Sequence, residues 1–176
     1  MSSHVPLPDS IGILILDCDG VLTDGGMYYN ADGQALKRFD VKDGLGLVRL
    51  AQVGFPTAVI SGDQSAISAK RCEVLRVTHV RLGTADKEEA VREVLAKSGI
   101  AAESAVFVGD DISDLPAMHM VGLAVAVSDA VDPVREAADF VTERPGGHGA
   151  VREICDAIIA RLGAARDGGS DAPWGA

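Results

Sequence analysis

The stretch LDCDGVLTD, residues 16–24, decides the expected fold because it closes an apolar run that begins at Ile11. A short, β-branched run without strict alternation predicts a strand that is buried on both faces of a sheet. Asp17 and Asp19 follow at once, and side chains two apart on an extended chain point to the same side. Two carboxylates held together repel and raise each other's pKa. This pair therefore predicts a functional site, where a cation or a proton-transfer role compensates for the repulsion.

Length and composition indicate one soluble globular domain. The chain has 176 residues, of which 47% are hydrophobic and 24% are charged. No apolar run has the length of a membrane span, and the N-terminal residues lack the pattern of a signal peptide. The net charge of −10 leaves no basic excess for nucleic acid, and an anionic substrate would need a metal or a few well-placed cations. The odd set Cys18, Cys72 and Cys155 favours neither disulfides nor a cysteine zinc site, and predicts a cytoplasmic location.

Short apolar runs alternate with helical patterns along most of the chain. This alternation predicts an α/β fold with a doubly wound, mainly parallel, Rossmann-like sheet and right-handed crossovers. The predicted strands are Ile11–Leu16, Pro56–Ile60, Ala105–Val108 and Leu123–Val127, and the predicted helices are Asp43–Val53, Gln64–Leu75 and Asp86–Lys97.

One segment, residues 26–40, interrupts the alternation. It carries Asn-Ala-Asp-Gly at residues 30–33 between two strand-like pieces, a pattern typical of a β-hairpin. Because it directly follows the acidic pair, we expect the hairpin to form a flap over that edge of the sheet. The domain is expected to span residues 9–162. Residues 163–176 are rich in Gly, Ala and Asp and are predicted to form a disordered tail.

A second acidic cluster follows the predicted strand Ala105–Val108. It contains Asp110, Asp111 and Asp114 directly after Gly109. Capping of a helix accounts for one aspartate in this position but not for three within five residues. The carboxyl ends of parallel strands meet at one edge of a sheet, so both acidic clusters are expected to lie together. Carboxylate oxygens, water and phosphate are preferred Mg²⁺ ligands, so the sequence predicts a Mg²⁺ site there.

Further residues complete the predicted site. Alone, Ser61-Gly62 is an ordinary turn and Lys87 an ordinary surface lysine. Together, Ser61 and Lys87 supply a hydroxyl donor and a compact cation, which a phosphoryl group needs once Mg²⁺ meets part of its charge. Gly62 is expected to let the backbone approach a ligand. Gly20 is expected to turn the chain sharply, so that backbone N–H groups face a bound anion.

In this order, DCDGV at residues 17–21, Ser61, Lys87 and GDDISD at residues 109–114 resemble the four motifs of the haloacid dehalogenase (HAD) phosphotransferase superfamily. The chain is most similar to the branch without a cap domain, typified by 3-deoxy-D-manno-octulosonate 8-phosphate (KDO 8-phosphate) phosphatase. LDCDGVLTDG, FDVKDGLGL, VGLAVAVSDA, ADFVT and PGGHGAVREICD carry this likeness. It implies a HAD fold with a hairpin and no cap. It also implies a homotetramer in which the hairpins meet centrally and neighbouring subunits complete each site.

The resemblance implies a Mg²⁺-dependent phosphatase and a role for each motif residue. Asp17 would attack phosphorus to form an aspartyl phosphate. Asp19 would protonate the leaving alkoxide and then activate the water that hydrolyses the intermediate. Ser61 and Lys87 would hold the phosphate oxygens. The implied Mg²⁺ ligands are Asp17, the backbone carbonyl of Asp19 and Asp110, with Asp111 as an occasional ligand and Asp114 in support.

The same branch implies an acidic keto-sugar phosphate as substrate, with KDO 8-phosphate first and lipopolysaccharide precursor synthesis as the role. Two positions depart from the branch. Asp63 stands where relatives acting on KDO 8-phosphate often carry Arg, and His148 replaces the Arg of GGRGAVRE. A keto-acid carboxylate needs a cationic partner, so the absence of arginine at positions 63 and 148 affects the substrate pocket. The candidate substrate contacts are Asp63, His148, Lys70, Arg71 and Asp43, with Lys42 and Arg152 of a neighbouring subunit as further cations.

Other interpretations stay open at this stage. One alternative is a different phosphatase. It would act on a nine-carbon keto acid 9-phosphate, since enzymes for that substrate carry an acidic residue near position 63, or it would have a broad substrate range. Response-regulator receiver domains combine similar residues, but here the DxD pair precedes Ser61 and Lys87 and the second acidic block follows them, which disfavours a receiver. A non-catalytic HAD-like oligomerisation or regulatory domain is disfavoured because every catalytic aspartate is present.

Overall fold

The strands and helices alternate along the chain as the apolar pattern predicts. The structure is a computed structural model that describes residues 5–167, without the side chains of residues 34, 35 and 164–167. The strands are β1 (Ile13–Leu16), β2 (Tyr28–Asn30), β3 (Gly33–Leu36), β4 (Thr57–Ser61), β5 (His79–Leu82), β6 (Ala105–Gly109), β7 (Leu123–Ala126) and β8 (Phe140–Val141). The helices are α1 (Val41–Gln52), α2 (Ala66–Val74), α3 (Lys87–Ser98), α4 (Leu115–Met118), α5 (Asp132–Ala137) and α6 (Ala150–Asp167).

Six parallel strands form one sheet in the order β5-β4-β1-β6-β7-β8. Every residue of β1, β4, β6 and β7 is buried, which explains why these strands read as continuous apolar runs. The chain moves outward from β1 through β4 to β5, then crosses to β6 and continues in the opposite direction. With right-handed crossovers, this reversal places helices on both faces, and α1 packs on α6 while α3 packs on α4. The doubly wound α/β prediction is confirmed.

Local signals fix the ends of the helices. Helix α1 begins earlier than predicted because the Asp40 side chain accepts hydrogen bonds from the N–H groups of Lys42 and Asp43. Helix α3 begins after Asp86, which accepts from the N–H of Glu89, and ends at Gly99 in a left-handed conformation (φ 67°). These caps place Lys87 in the first position of α3.

The predicted hairpin is present as the antiparallel pair β2 and β3. Its turn is closed by Asn30, whose side-chain oxygen accepts from the N–H of Asp32, and Gly33 takes a positive φ of 122°. The hairpin and α1 are the only elements between β1 and β4, a part of the chain that is fully described. The prediction that no cap domain is inserted is therefore confirmed.

Three elements differ from the expectations. Strand β5 has the sequence HVRL and lies at the edge of the sheet, where polar side chains face solvent and hide the apolar signal. Strand β8 has only two residues. Helix α6 continues to Asp167, so the predicted disordered tail does not begin at Gly163; residues 168–176 of that prediction lie outside the described residues. None of the helices within residues 5–167 has the length and hydropathy to span a membrane.

The α1 helix offers a matched test of the core. Leu47 is fully buried, whereas Leu45 on the same helix is 52% exposed. Leu47→Ala should lower the free energy of unfolding by about 2–5 kcal/mol, because it removes packed methyl groups and leaves a cavity. Leu45→Ala should change it by less than about 0.5 kcal/mol. Urea unfolding of both variants checks this, and equal effects would contradict the packing described for α1.

Candidate active site

The carboxyl ends of three neighbouring strands bring the motif residues together. Asp17 follows the central strand β1, and its N–H donates to the carbonyl of Val108 in β6 at 3.0 Å. Ser61 ends β4 on one side of β1, and Asp110 follows β6 on the other. The direction of winding reverses at β1, which is the position where open α/β sheets form a crevice for ligands.

Lys87 is a buried ammonium at the centre of this crevice. Its Nζ atom lies 2.8 Å from Asp17 Oδ1 and 2.6 Å from Asp114 Oδ1. The side chain is 7% exposed, against 5% for Asp17 and 0% for Asp114. Burial alone would lower the pKa of Lys87, but the two adjacent carboxylates outweigh it and raise that pKa. Lys87 is therefore a permanent cation that fixes the orientation of Asp17.

Asp114 and Asp111 have different environments although they lie three residues apart. Asp114 Oδ2 accepts from the N–H groups of Asp110 and Asp111, at 2.9 Å and 3.2 Å, while Oδ1 binds Lys87. Asp111 is exposed and accepts from the N–H of Ile112 as the cap of a short 3₁₀ turn. The two side chains thus do not share one face toward the site. Asp114 braces the loop after β6, and Asp111 lies outside the carboxylate cluster.

Three carboxylates crowd around the single ammonium of Lys87. Asp17, Asp110 and Asp114 have oxygens within 4.8 Å of one another. Burial, reinforced by the charge of Asp114, raises the pKa of Asp17 to about 6 despite Lys87. Burial and the charges of Asp17 and Asp114 raise the pKa of Asp110 to about 8. Because both oxygens of Asp114 accept hydrogen bonds, whereas Lys87 contacts only Oδ1 of Asp17, Asp17 and Asp110 are the carboxylates that remain for a cation. This hard, uncompensated oxygen set fits a divalent metal.

A second cationic group, Lys37, lies beside Asp19. Its Nζ atom donates to both Asp19 oxygens, at 2.7 Å and 2.9 Å, and to Asp63 Oδ2 at 2.6 Å. Burial alone would lower the pKa of Lys37, but the hydrogen bonds to Asp19 and Asp63 and the charge of Asp19 outweigh it and raise that pKa. The same contact lowers the pKa of Asp63 against the opposing effect of burial. Sequence reasoning missed Lys37, whose only signal is its place just after the hairpin strand β3.

The backbone requires glycine at position 20 but not at position 62. Gly20 has a φ of 92°, and a Cβ atom there would lie 2.0 Å from Asp110 Oδ2, so only glycine lets the Asp19 turn meet the second acidic cluster. Its N–H donates to Thr23 Oγ1 instead of facing the crevice, which corrects that part of the expectation. Gly62 is exposed and its Cβ position has room, so nothing in the described structure requires glycine there.

Comparisons with known proteins place this geometry in a family. Residues 75–154 match a model described as haloacid dehalogenase-like hydrolase. The 3-deoxy-D-manno-octulosonate 8-phosphate phosphatase KdsC of Escherichia coli K12 is 42% identical over 155 residues, which cover 88% of this chain and 82% of the relative. The chain belongs to the haloacid dehalogenase-like phosphatases.

Solved structures of the family superpose closely. The cobalt-bound deoxy-D-mannose-octulosonate 8-phosphate phosphatase of Haemophilus influenzae is 41% identical, with a TM-score of 0.84 and coverage of 88% of this chain and 90% of that one. The phosphatase of Moraxella catarrhalis, in complex with magnesium ion, phosphate ion and KDO, is 35% identical, with a TM-score of 0.83 and coverage of 91% and 94%. The HAD fold of this chain is thereby shown.

The loop at residues 145–149 contains His148, one of the candidate substrate contacts from the sequence. His148 is exposed, and its Nδ1 lies 2.8 Å from the carbonyl oxygen of Gly146. The loop itself packs on the turn after Asp19: a Cβ on Gly146 would lie 1.7 Å from the Gly20 carbonyl oxygen, and the Gly147 N–H donates to the carbonyl of Val21 at 2.9 Å. The loop therefore supports the turn after Asp19 through its backbone.

Asp43 does not face a substrate pocket, which corrects its listing among the candidate contacts. It is 1% exposed, and its carboxylate accepts from the N–H groups of Gly149 and Arg152, at 3.1 Å and 2.7 Å. Burial raises the pKa of Asp43 although these two bonds oppose the shift. Asp43 thus ties α1 to the start of α6 and holds the end of the 145–149 loop.

The cations that could bind a substrate line two separate cavities. Lys37, Lys70 and Arg71 line a cavity of about 520 Å³ together with Phe39, Ile67 and Val74. Lys42 and Arg152 line a larger cavity of about 880 Å³ between α6 and residues 5–7, which contains none of the motif residues. No motif residue lines the smaller cavity either, but it includes Lys37, which donates to Asp19, so it is the cavity connected to the motif residues.

Within the smaller cavity the two α2 cations are already partly engaged. Exposed Lys70 pairs with Glu73 on its own helix, at 2.9 Å. Arg71 stacks over the ring of Phe39 at 5.5 Å, and its buried Nε has no hydrogen-bond partner among the described residues. Arg71 also donates from Nη2 to the carbonyl of Asp40 at 3.4 Å, so its guanidinium is held in place beside this cavity.

Removing the central cation tests the electrostatic arrangement. Lys87→Met leaves the crowded carboxylates unpaired, so metal-free protein should lose about 3–5 kcal/mol of unfolding free energy. Lys97→Met, at the exposed end of the same helix, should change it by less than about 0.5 kcal/mol. Urea unfolding in the presence of a chelator measures both. Equal stabilities would contradict the ion pairs of Lys87.

Proposed function

We propose that this phosphatase is a Mg²⁺-dependent phosphomonoesterase that hydrolyses KDO 8-phosphate to KDO and phosphate through an aspartyl phosphate on Asp17. The observation that carries the proposal is the buried Asp17 carboxylate at the end of the central strand. Lys87 binds its Oδ1 atom, which leaves Oδ2 as the attacking oxygen. The similarity to KdsC of Escherichia coli supports the choice of substrate.

The residues of the crevice divide the reaction between them. Asp17 attacks phosphorus, and the bond from phosphorus to the sugar oxygen breaks while Asp19 supplies a proton to that oxygen. Water then attacks the phosphorus of the aspartyl phosphate, Asp19 takes its proton, and Asp17 is released with inorganic phosphate. Ser61 and Lys87 hold phosphate oxygens through both steps.

Asp17, Asp110 and the backbone carbonyl of Asp19 would hold the metal, with Asp114 fixing the loop behind them. A bound Mg²⁺ offsets the negative charge that carboxylates and phosphate bring together. The excess of carboxylates over ammonium groups around Lys87 supports this assignment. Asp111, exposed and bound to its own turn, is left outside the direct ligand set.

The smaller cavity supports an acidic sugar as the leaving group. It combines a wall of Phe39, Ile67 and Val74 with the cations Lys37 and Arg71. Apolar atoms suit the carbon face of a sugar, and a guanidinium suits its carboxylate. Arg71, whose guanidinium lines this cavity, is the proposed carboxylate partner, in place of the arginine that is absent at position 63.

The proposed assembly is a homotetramer built around the hairpins. On the hairpin, Met27 and Tyr29 are each 65% exposed and Leu36 is 63% exposed, an apolar surface that favours contact with other subunits. We also propose a cytoplasmic location and a role in lipopolysaccharide precursor synthesis. The three cysteines, which are buried and unpaired, agree with a reducing compartment.

A substrate panel tests the reaction. The protein should release phosphate from KDO 8-phosphate in the presence of Mg²⁺ and lose this activity with a chelator. Asp17→Asn should abolish turnover because the nucleophile is gone, whereas Asp9→Asn, an exposed change at the N-terminal side of β1, should have no effect. Phosphate release is the measurement. An active Asp17→Asn variant would overturn the nucleophile assignment.

The same panel separates the second candidate, a nine-carbon keto acid 9-phosphate. This candidate is favoured by Asp63, an acidic side chain at the mouth of the site that already holds Lys37. Higher kcat/KM for the nine-carbon ester than for KDO 8-phosphate would transfer the assignment to it. Equal rates with both and with an aryl phosphate would indicate a broad-range phosphatase.

Metal binding provides an independent test. Mg²⁺ at 100 times its Kd should stabilise the wild type by about 2.7 kcal/mol. Asp110→Asn should remove most of this gain, because one of the two free carboxylates is lost. Asp111→Asn should retain it, because Asp111 lies outside the cluster. Thermal unfolding with and without Mg²⁺ compares the three proteins. Loss of the gain in Asp111→Asn alone would overturn the ligand set.

A further inference from the structure

Lys37 is a nearly inaccessible ammonium shared by two more exposed carboxylates. Its side chain is 2% exposed, against 40% for Asp19 and 32% for Asp63. It donates to both oxygens of Asp19 and to one oxygen of Asp63. Contact with both oxygens fixes the plane of the Asp19 carboxylate, which a single hydrogen bond would not do.

Asp63 is itself anchored, so it is a fixed support for Lys37. Its Oδ2 atom also accepts from the N–H of Ser65 at 3.1 Å and from the hydroxyl of Ser68 at 3.3 Å. Its N–H donates to Ser61 Oγ at 3.1 Å. Asp63 therefore belongs to the rigid connection between β4 and α2, not to a freely moving surface.

The same set of hydrogen bonds also reaches Cys18, just after strand β1. The Cys18 thiol, between Asp17 and Asp19, donates to Ser68 Oγ at 3.6 Å. The contacts thus run from Cys18 through Ser68, Asp63 and Lys37 back to Asp19. A closed ring of this kind connects the turn after β1, the start of α2 and the root of the hairpin.

The geometry points to Lys37 and Asp63 as positioning residues that hold the Asp19 carboxylate for water activation in the second half of the reaction. An ammonium that donates to both oxygens holds the Asp19 carboxylate in one orientation from the protein side. In that step the water oxygen bonds to phosphorus, the bond from phosphorus to Asp17 breaks, and the water proton passes to Asp19. This inference rests on the proposed function, in which Asp19 is the base.

The test compares kcat with kcat/KM for 4-nitrophenyl phosphate. Its good leaving group needs no proton, so kcat/KM reports attack by Asp17, whereas kcat includes hydrolysis of the aspartyl phosphate. Lys37→Met should lower kcat by roughly 10–100-fold, as expected when a catalytic group is misplaced. We expect kcat/KM to stay within about 3-fold, KM to fall with kcat, and phosphorylated enzyme to accumulate in acid-quenched samples.

Asp63→Asn keeps the shape of the support and removes its charge. It should also lower kcat, but only by about 3–10-fold. If Lys37→Met does not fold, this variant still tests the inference. Lys97→Met, exposed and distant from the site, is the control and should match the wild type. A purely structural role would lower kcat and kcat/KM together without accumulation of phosphorylated enzyme, and that result would overturn the inference.

Asp19→Asn, measured in parallel, separates this inference from the proposed function. Accumulation of phosphorylated enzyme in Asp19→Asn, with wild-type kinetics in Lys37→Met and Asp63→Asn, would overturn the positioning role and leave the mechanism in place. Absence of phosphorylated enzyme in Asp19→Asn and in both other variants would overturn the inference together with the base assignment. Accumulation in all three variants would support both.

Discussion

The buried Lys87 ammonium between Asp17 and Asp114 is the interaction on which the rest of the site depends. Three carboxylates lie within reach of one another at the end of the central strand, and burial makes each charge costly. Lys87 offsets part of this charge and at the same time fixes which oxygen of Asp17 is free. The position of Lys87 is set by the Asp86 cap at the start of α3, so an ordinary helix signal determines the orientation of Asp17.

The backbone around the site is held by contacts that leave no room for larger residues. Gly20 lets the Asp19 turn approach Asp110, and Gly146 lies against the carbonyl of Gly20. Asp43 holds the far end of the same loop through the first N–H groups of α6. The loop, the turn after β1 and helix α1 are thereby joined into one support, although the loop lies about a hundred residues further along the chain than α1.

The sequence predicts those features of the fold and the site that short stretches of residues determine by themselves. Apolar runs mark the buried strands β1, β4, β6 and β7. The places of Asp17, Ser61 and Asp110 follow from the ends of β1, β4 and β6, and that of Lys87 from the start of α3. The partners of side chains were not predictable in the same way. Asp111 and Asp114 have identical chemistry, and only the three-dimensional turn decides that Asp114 is buried on Lys87 while Asp111 faces solvent. Lys37 carries no motif, so its place beside Asp19 emerges only when the hairpin is folded.

The ion pair of Asp17 with Lys87 and the ion pair of Asp19 with Lys37 suit two different tasks. Asp17 and Lys87 are almost inaccessible, with 5% and 7% exposure, so the carboxylate proposed as the nucleophile is held in one orientation in a low-dielectric setting. Asp19 is 40% exposed, because the group proposed to exchange protons with the leaving group and with water must be reached by both. An exposed carboxylate has more freedom to rotate, and isolated ion pairs at such positions contribute little. The buried ammonium of Lys37, fixed in turn by Asp63, reconciles these demands: it restricts Asp19 from the protein side while the opposite side stays open.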